Sequence, residues 1–420
     1  MFRNQKERVI LMKKNDVKYI ALYLPQFHTF KENDEWWGKG FTEWTNTKPA
    51  KKLFEGHYQP HVPHNDIGYY DLSDVNVMVN QAKMAKEYGI YGFCYYFYWF
   101  NGKKLMEKPL ENMLKTQEVD IPFCLFWANH NWTRAWDTGN KEVLIEQTYD
   151  DTTNERFIDD LVPYFKDKRY IKIDNRPIFL VYESDKLPNP KETVVKWRKY
   201  AKEKYNIDLY LITVQQNNLI QPKTFGYDAA LEGAPNFLAA TKSRLPTKKC
   251  PKLNEGVSLT FYDYYTDAFI HILRDNVNYK LYKTVYPNWD NTPRRKEKGG
   301  WLFYGFTLEL YKKFLAEITK FTISHFNKNE QFVFINAWNE WAEGAHLEPD
   351  EKYGYKILEI TKEISNMSAF ELDAAGFNKK EKELMKRKLF PIKFFSKEKE
   401  YNKRIIKIFN LPIIHYWKKV

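Results

Sequence analysis

The sequence predicts an α/β protein, a (β/α)8 TIM barrel with long βα loops and a basic C-terminal extension. Three observations carry that expectation. Short apolar runs alternate with longer amphipathic segments across residues 19–366, as parallel strands joined by helical crossovers do. The rival doubly wound sheet wants a Gly-rich phosphate turn after an early strand, and the first strand here runs into "LPQFHTF". Polar residues and Trp recur at the C-terminal ends of successive strands, the end at which such barrels carry their sites.

The elements follow in order. "YIALYLP" (19–25) reads as the first strand and leads into a long loop rich in Trp, His and Pro. "DVNVMVNQAKMAKEYG" (74–89) has helical spacing with a Gly stop, and "IYGFCYYFYWF" (90–100) is the second strand. "KKLMEKPLENMLKT" (103–116) reads as a helix kinked or broken at Pro109, and "IPFCLFWAN" (121–129) as the third strand. The helical "NERFIDDLVPYFKD" (154–167) and "KETVVKWRKYAKEKYN" (191–206) bracket the fourth strand, "RPIFLVYES" (176–184). "IDLYLITVQQ" (207–216) is the fifth strand, "YDAALEGAP" (227–235) a short sixth, and "NYKLYKTVYPNWDN" (278–291) contains the seventh. "TLELYKKFLAEITKFTISHF" (307–326) is a helix, "EQFVFINAWNEW" (330–341) contains the eighth strand, and a last helix starts near Tyr353. Three regions are expected: a basic N-terminal extension (1–18), the catalytic barrel (19–366) and a basic, apolar-interleaved tail (367–420).

Composition narrows the function. Aromatic residues make up 17%, with 13 Trp, 30 Tyr and 30 Phe, which suits a cleft that stacks on sugar faces. The +12 net charge is concentrated at the ends: residues 379–420 alone hold 14 Lys+Arg against 4 Asp+Glu. The body is close to neutral, so a nucleic-acid partner is not expected. Cys94, Cys124 and Cys250 form neither a disulfide framework nor a zinc spacing. The first residues lack a long apolar core of the signal-peptide kind, and no stretch approaches a spanning helix. A cytoplasmic protein with peripheral contact at the inner membrane face is the expectation.

Candidate substrate-binding residues cluster at the strand ends. They are His28 after strand one, Trp36, Trp37, Glu43 and Trp44 in the loop "EWWGKGFTEW", and Trp99 ending strand two. Trp127, Asn129, His130, Asn131, Trp132, Arg134 and Trp136 follow strand three; Trp289 and Asp290 follow strand seven; Trp338, Asn339 and Trp341 follow strand eight. Indoles stack on sugar C–H faces while amides and carboxylates bind hydroxyl pairs. Glu340 and Glu343 are the catalytic candidates, because glycoside chemistry needs two carboxyl groups about one bond, one protonated and one ionised. Three residues of turn between them can aim both into one cleft. The same acids also suit a helix N-terminus, and that reading stays open here. "GHYQPHVPHND" (56–66) offers three histidines, but Pro60 and Pro63 break any helical face and no carboxylate stands at ligand spacing. No metal and no organic cofactor is expected.

These stretches carry a likeness. "YLPQFH", "NDEWWGKGFTEW", "GHYQPH", "FWANHNWTRAWD", "WDNTPRR" and "NAWNEWAEGAHLEPD" resemble the WbsX proteins of bacterial surface-polysaccharide clusters, which are glycoside hydrolase family 99-like. The likeness spans residues 19–365. A narrower one, centred on "WNEWAEG", reaches the family 99 endo-α-1,2-mannosidases. The resemblance implies a retaining barrel enzyme acting on α-mannoside-like glycans without a cofactor. It implies Glu340 as the base that deprotonates the sugar 2-hydroxyl and Glu343 as the acid for the leaving group, through an anhydro-sugar intermediate. His130 departs from the pattern, which usually has Glu there.

Two rivals stand beside that expectation. A glycosyltransferase would use Arg134, Arg294 or Arg295 for donor phosphates, and a non-catalytic barrel would only bind glycan. For the tail, basic charge interleaved with apolar residues suits an anionic membrane bearing a lipid-linked glycan, or else a strand pair packed on the barrel.

Overall fold

The computed structural model describes residues 13–134, 142–216, 219–235, 241–274 and 277–389, and the backbone of 395–400, 403–408 and 411–417. Contacts divide the chain into two compact units, 1–376 and 377–420.

The first unit is a closed barrel of eight parallel strands. They are β1 (Lys18–Tyr23), β2 (Ile90–Phe100), β3 (Phe123–Trp127), β4 (Arg176–Val181), β5 (Tyr210–Gln215), β6 (Ala229–Glu232), β7 (Leu281–Val285) and β8 (Phe332–Ile335). Each pairs with its chain neighbours, and β1 closes the ring on both sides: Ile20 stands opposite Phe334 of β8 and Gly92 of β2. Gly92 fits because a Cβ there would lie 2.6 Å from the Pro122 carbonyl oxygen. Strands buried on both faces lose the polar alternation of a half-exposed sheet, which is why they read as continuous apolar runs.

Helices cover the outside: α1 (Val75–Glu87), α2 (Lys108–Lys115), α3 (Thr153–Lys166), α4 (Pro190–Tyr205), α5 (Tyr264–Leu273), α6 (Leu308–His325) and α7 (Lys356–Asn366). The Asp74 carboxylate caps α1 by accepting from Asn76 N, and Thr307 caps α6 by accepting from Leu310 N. Pro109 starts α2 instead of kinking a longer helix. The residues ahead of it, Lys103–Leu105, turn back as a strand against the end of β2. A proline in the first turn sacrifices no hydrogen bond, so that boundary is favoured.

Excursions at the C-terminal end of the barrel build its mouth. The 51 residues between β1 and α1 contain two short helices, Lys31–Trp37 and Trp44–Thr47. Ser258–Asp263, after β6, pairs in parallel with Lys298–Tyr304, after β7. A helix Ala369–Ala375, with a Ser368/Glu371 capping box, ends this unit. The second unit consists of a helix, Lys379–Leu389, and three antiparallel strands, Phe395–Glu400, Lys403–Ile408 and Leu411–Trp417. Among the described residues no helix is long and apolar enough to cross a membrane.

Candidate active site

Beyond β8 the chain makes a tight hairpin. Asn339–Glu340 pairs with Ala345–His346, and Trp341–Glu343 forms one 3₁₀ turn between them. Residues three apart eclipse one another in that geometry, so Glu340 and Glu343 present their carboxylates on the same side. Gly344 closes the turn with φ +61°, where a Cβ would stand 3.3 Å from both Asp290 and His61. This tight approach lets Asp290 N donate to the Glu343 carbonyl at 2.6 Å.

One guanidinium organises the carboxylates. Arg294 Nε donates to Glu43 Oε1 at 2.7 Å and Nη2 to Glu340 Oε2 at 2.9 Å, while Nη1 donates to Glu343 Oε1. Three carboxylates thus face one fixed cation. Burial and the repulsion of Glu343 push the Glu340 carboxyl up to about 8, against the pull of Arg294. Burial raises Glu343 too. The two share one titration, and at neutral pH they keep a proton between them. Burial alone would lower the Arg294 guanidinium, but the three acids hold it well above its usual value.

The pair opens onto a cavity of about 260 Å³ at the barrel mouth. Its walls follow the period of two in a strand: Leu22, Leu24 and Gln26; Tyr96 and Tyr98; Phe126, Ala128 and His130; Val214 and Gln216. Alternate residues enter the cavity, and those between them do not line it. A second groove of about 470 Å³ adjoins it, sharing Gln26 and Arg294, with Trp37, Phe41 and Trp132 on its walls. Burial lowers the His130 imidazole to about 4, so it stands neutral beside Tyr182 at pH 7.

The sequence candidates separate by this rule. Glu340, Glu343, His130 and Trp289 line the central cavity, and Trp37 and Trp132 line the groove. Glu43 is buried on Arg294. Trp99 and Trp127 have the opposite parity and are buried outside the cavity. Trp99 Nε1 donates to Asp160 at 2.7 Å, and Trp127 Nε1 to the Trp99 carbonyl at 3.1 Å. Asn129 exchanges hydrogen bonds with the Glu183 backbone, and Asn339 ties the hairpin to the Leu24 backbone. His28 is buried with Nδ1 on the Pro25 carbonyl, and Trp44 packs beside Trp341 and bonds the Tyr70 carbonyl. Trp36 meets Trp132 edge-on, while Arg134 crosses Trp37 and bonds Glu142 and the Trp36 carbonyl. Asn131 is exposed and accepts from Gln147 N. Trp136 lies outside the described residues.

Trp338 and Trp341 line neither the cavity nor the groove. Both are fully buried, and both indoles donate to Glu348, at 3.0 and 2.7 Å. Asp290 is a buried brace: its Oδ2 takes bonds from Gln59 and His57, both at 2.8 Å, behind the Glu343 turn. Strand parity alone points to Tyr96 and Tyr98. Arg294 carries no such local signal.

A closed parallel barrel with a carboxyl pair at its C-terminal mouth is the architecture of this site. The family described as Glycosyltransferase WbsX matches residues 19–361, and the chain belongs to that family. Two curated relatives, both "Uncharacterized protein WxcX" from strains of Xanthomonas campestris pv. campestris, are 40% identical over 344 residues. The match covers 82% of this chain and 49% of each relative, so the chain spans about half their length. Among solved structures, a "Glycoside hydrolase-like protein" aligns with TM-score 0.55 at 14% identity, covering 86% of this chain and 96% of that one. The GH99 endo-alpha-mannosidase of Bacteroides thetaiotaomicron aligns with TM-score 0.51 at 14% identity, covering 86% and 99%. These structures show a shared barrel fold.

Proposed function

We propose that this chain cleaves or transfers glycosyl units at the barrel mouth, with Glu340 and Glu343 as the reacting carboxyl pair. The observation that carries the reading is two carboxyls with raised pKa, bridged by one guanidinium and facing one cavity. One proton on the pair supplies an acid and a base together at neutral pH. The proton that burial favours on Glu340 passes to Glu343 as substrate fills the cavity, and the carboxylate of Glu340 then takes the proton of a sugar 2-hydroxyl. That oxygen bonds to the anomeric carbon as the glycosidic bond breaks, and Glu343 protonates the departing oxygen. Water then opens the anhydro sugar in hydrolysis, or an acceptor hydroxyl opens it in transfer. Neutral His130, Tyr96, Tyr98 and Trp289 contact the sugar, and Trp37 and Trp132 hold its continuation in the groove. The likeness to GH99 endo-alpha-mannosidases supports an α-mannoside-like glycan as substrate.

The family's description as a glycosyltransferase favours a nucleotide-sugar transferase as the second reading. Against it, the guanidinium nearest the acids is already engaged by three carboxylates. Mass spectrometry of lipid-linked oligosaccharide incubated with purified protein separates the readings. Shortening without nucleotide sugar supports hydrolysis, and lengthening that requires nucleotide sugar supports the transferase. No change in either mixture, or in a panel of α-mannosides, would sink the enzymatic reading.

The tail proposal rests on charge. With 14 Lys+Arg in 42 residues, an anionic inner-membrane surface attracts residues 379–420 by about 1 kcal/mol per nearby cation. Co-sedimentation with phosphatidylglycerol vesicles should be lost on deleting 379–420. Equal binding by both proteins would refute it.

A further inference from the structure

Behind the acid hairpin lies a cluster that the proposed chemistry does not use. His61 comes from the long loop after β1, and His346 and Asp350 from the return limb after β8. Their ligating atoms all lie within 4.8 Å of one another, and all three residues are buried. His61 Nδ1 stands 2.8 Å from His346 Nε2, which is 3.8 Å from Asp350 Oδ2.

The surroundings shape these groups as donors to a cation. His346 Nδ1 donates to the Glu348 carbonyl at 2.9 Å, which leaves Nε2 as the lone-pair nitrogen turned toward the cluster. Asp350 keeps one oxygen on Tyr353 N at 2.6 Å. Its Oδ2 is buried without a hydrogen-bond partner among the described residues. The Tyr58 hydroxyl, from the loop after β1, lies beside that carboxylate. No Lys or Arg pairs with Asp350 among the described residues. The ring nitrogen facing it is His346 Nε2. A buried carboxylate whose Oδ2 has only the Tyr58 hydroxyl beside it, facing two imidazoles, is poorly satisfied by itself. A divalent cation bound by two nitrogens and one oxygen would satisfy it.

We propose that His61, His346 and Asp350 form a buried structural site for one divalent transition-metal ion of the zinc class, with the Tyr58 hydroxyl facing the fourth position. Nitrogens on a tetrahedral zinc stand about 3.3 Å apart, so the imidazoles part by roughly 0.5 Å on binding. The ion fastens the loop of His57, Gln59 and His61 to the segment just after Glu343. The same loop holds Asp290, whose backbone N–H holds the Glu343 carbonyl. The sequence hid this set because His61 and His346 lie 285 residues apart.

The test uses the full chain, purified without a polyhistidine tag. Elemental analysis should find close to one zinc-class ion per chain, as purified or after zinc addition. Dialysis against a chelator should lower Tm, and Co²⁺ added to the stripped protein should give visible d–d absorption. His61→Ala and Asp350→Asn should each lose the ion, while Glu340→Gln should keep it whether or not that variant is active. Wild-type protein that binds no metal and shows no Co²⁺ band overturns the proposal. So does an ion retained by both site variants.

Discussion

Glu343 and Glu348 stand five residues apart in one hairpin segment, yet their surroundings differ in kind. The Glu348 oxygens are filled: Gln81 and Trp338 donate to Oε1, and Tyr70 and Trp341 to Oε2, at 2.7–3.0 Å. All four donors are neutral, and burial still holds this carboxyl up at about 7. Glu340 and Glu343 instead share one cation and turn toward an open cavity. A carboxylate whose oxygens are all occupied is part of the scaffold. A carboxylate with spare bonding capacity beside a cavity can exchange a proton with a ligand.

Five substitutions sharpen or break that contrast. Glu340→Gln and Glu343→Gln should each lower turnover on the order of 10²–10⁴ with the fold intact, as loss of general acid–base catalysis does. Wild-type activity should fall as pH rises through about 8, where the pair gives up its shared proton. Full activity in both variants would remove the pair from the chemistry.

Arg294→Met should cost about 3–5 kcal/mol, because it strands buried carboxylates without their cation. Their folded pKa values would then sit still further above the unfolded value. The variant is therefore most stable at low pH and loses stability as pH rises through those folded values. Urea denaturation at pH 5 and pH 8 checks this, and equal losses at both would contradict it.

Glu348→Gln should cost about 1–3 kcal/mol by setting an amide against the donors around it, with turnover changed far less than in the Glu340 or Glu343 variants. Thermal denaturation and steady-state kinetics on the same preparation separate the two effects. Trp37→Ala gives the smallest change. It should raise KM roughly 3- to 10-fold at nearly constant kcat, the scale of one lost aromatic contact.

The barrel was legible because strands buried on both faces write themselves as apolar runs, and because helix signals at Asp74 and Thr307 are local. Glu340 and Glu343 were legible as a pair because a turn of three residues is also local. Depth was harder to read. Trp99 and Trp127 stand at the right end of the right strands but on the wrong side of the pleat, and only the register with Tyr98 and Phe126 reveals it. Trp338 and Trp341 stand among the substrate-binding candidates because sequence proximity cannot show that their indoles turn to Glu348. Arg294 reaches carboxylates 46, 49 and 251 residues away, so its place in the pair's electrostatics emerges only once the chain has folded.

The alternation along the strands also acts as an addressing scheme for change. Diversifying Leu24, Gln26, Tyr96, Tyr98, His130 and Gln216 would redraw the ligand surface while leaving the helix contacts untouched. Diversifying the positions between them would spend the same mutational effort on stability. A lineage inheriting this barrel therefore holds two nearly independent registers of variation, one for what it recognises and one for how firmly it stands.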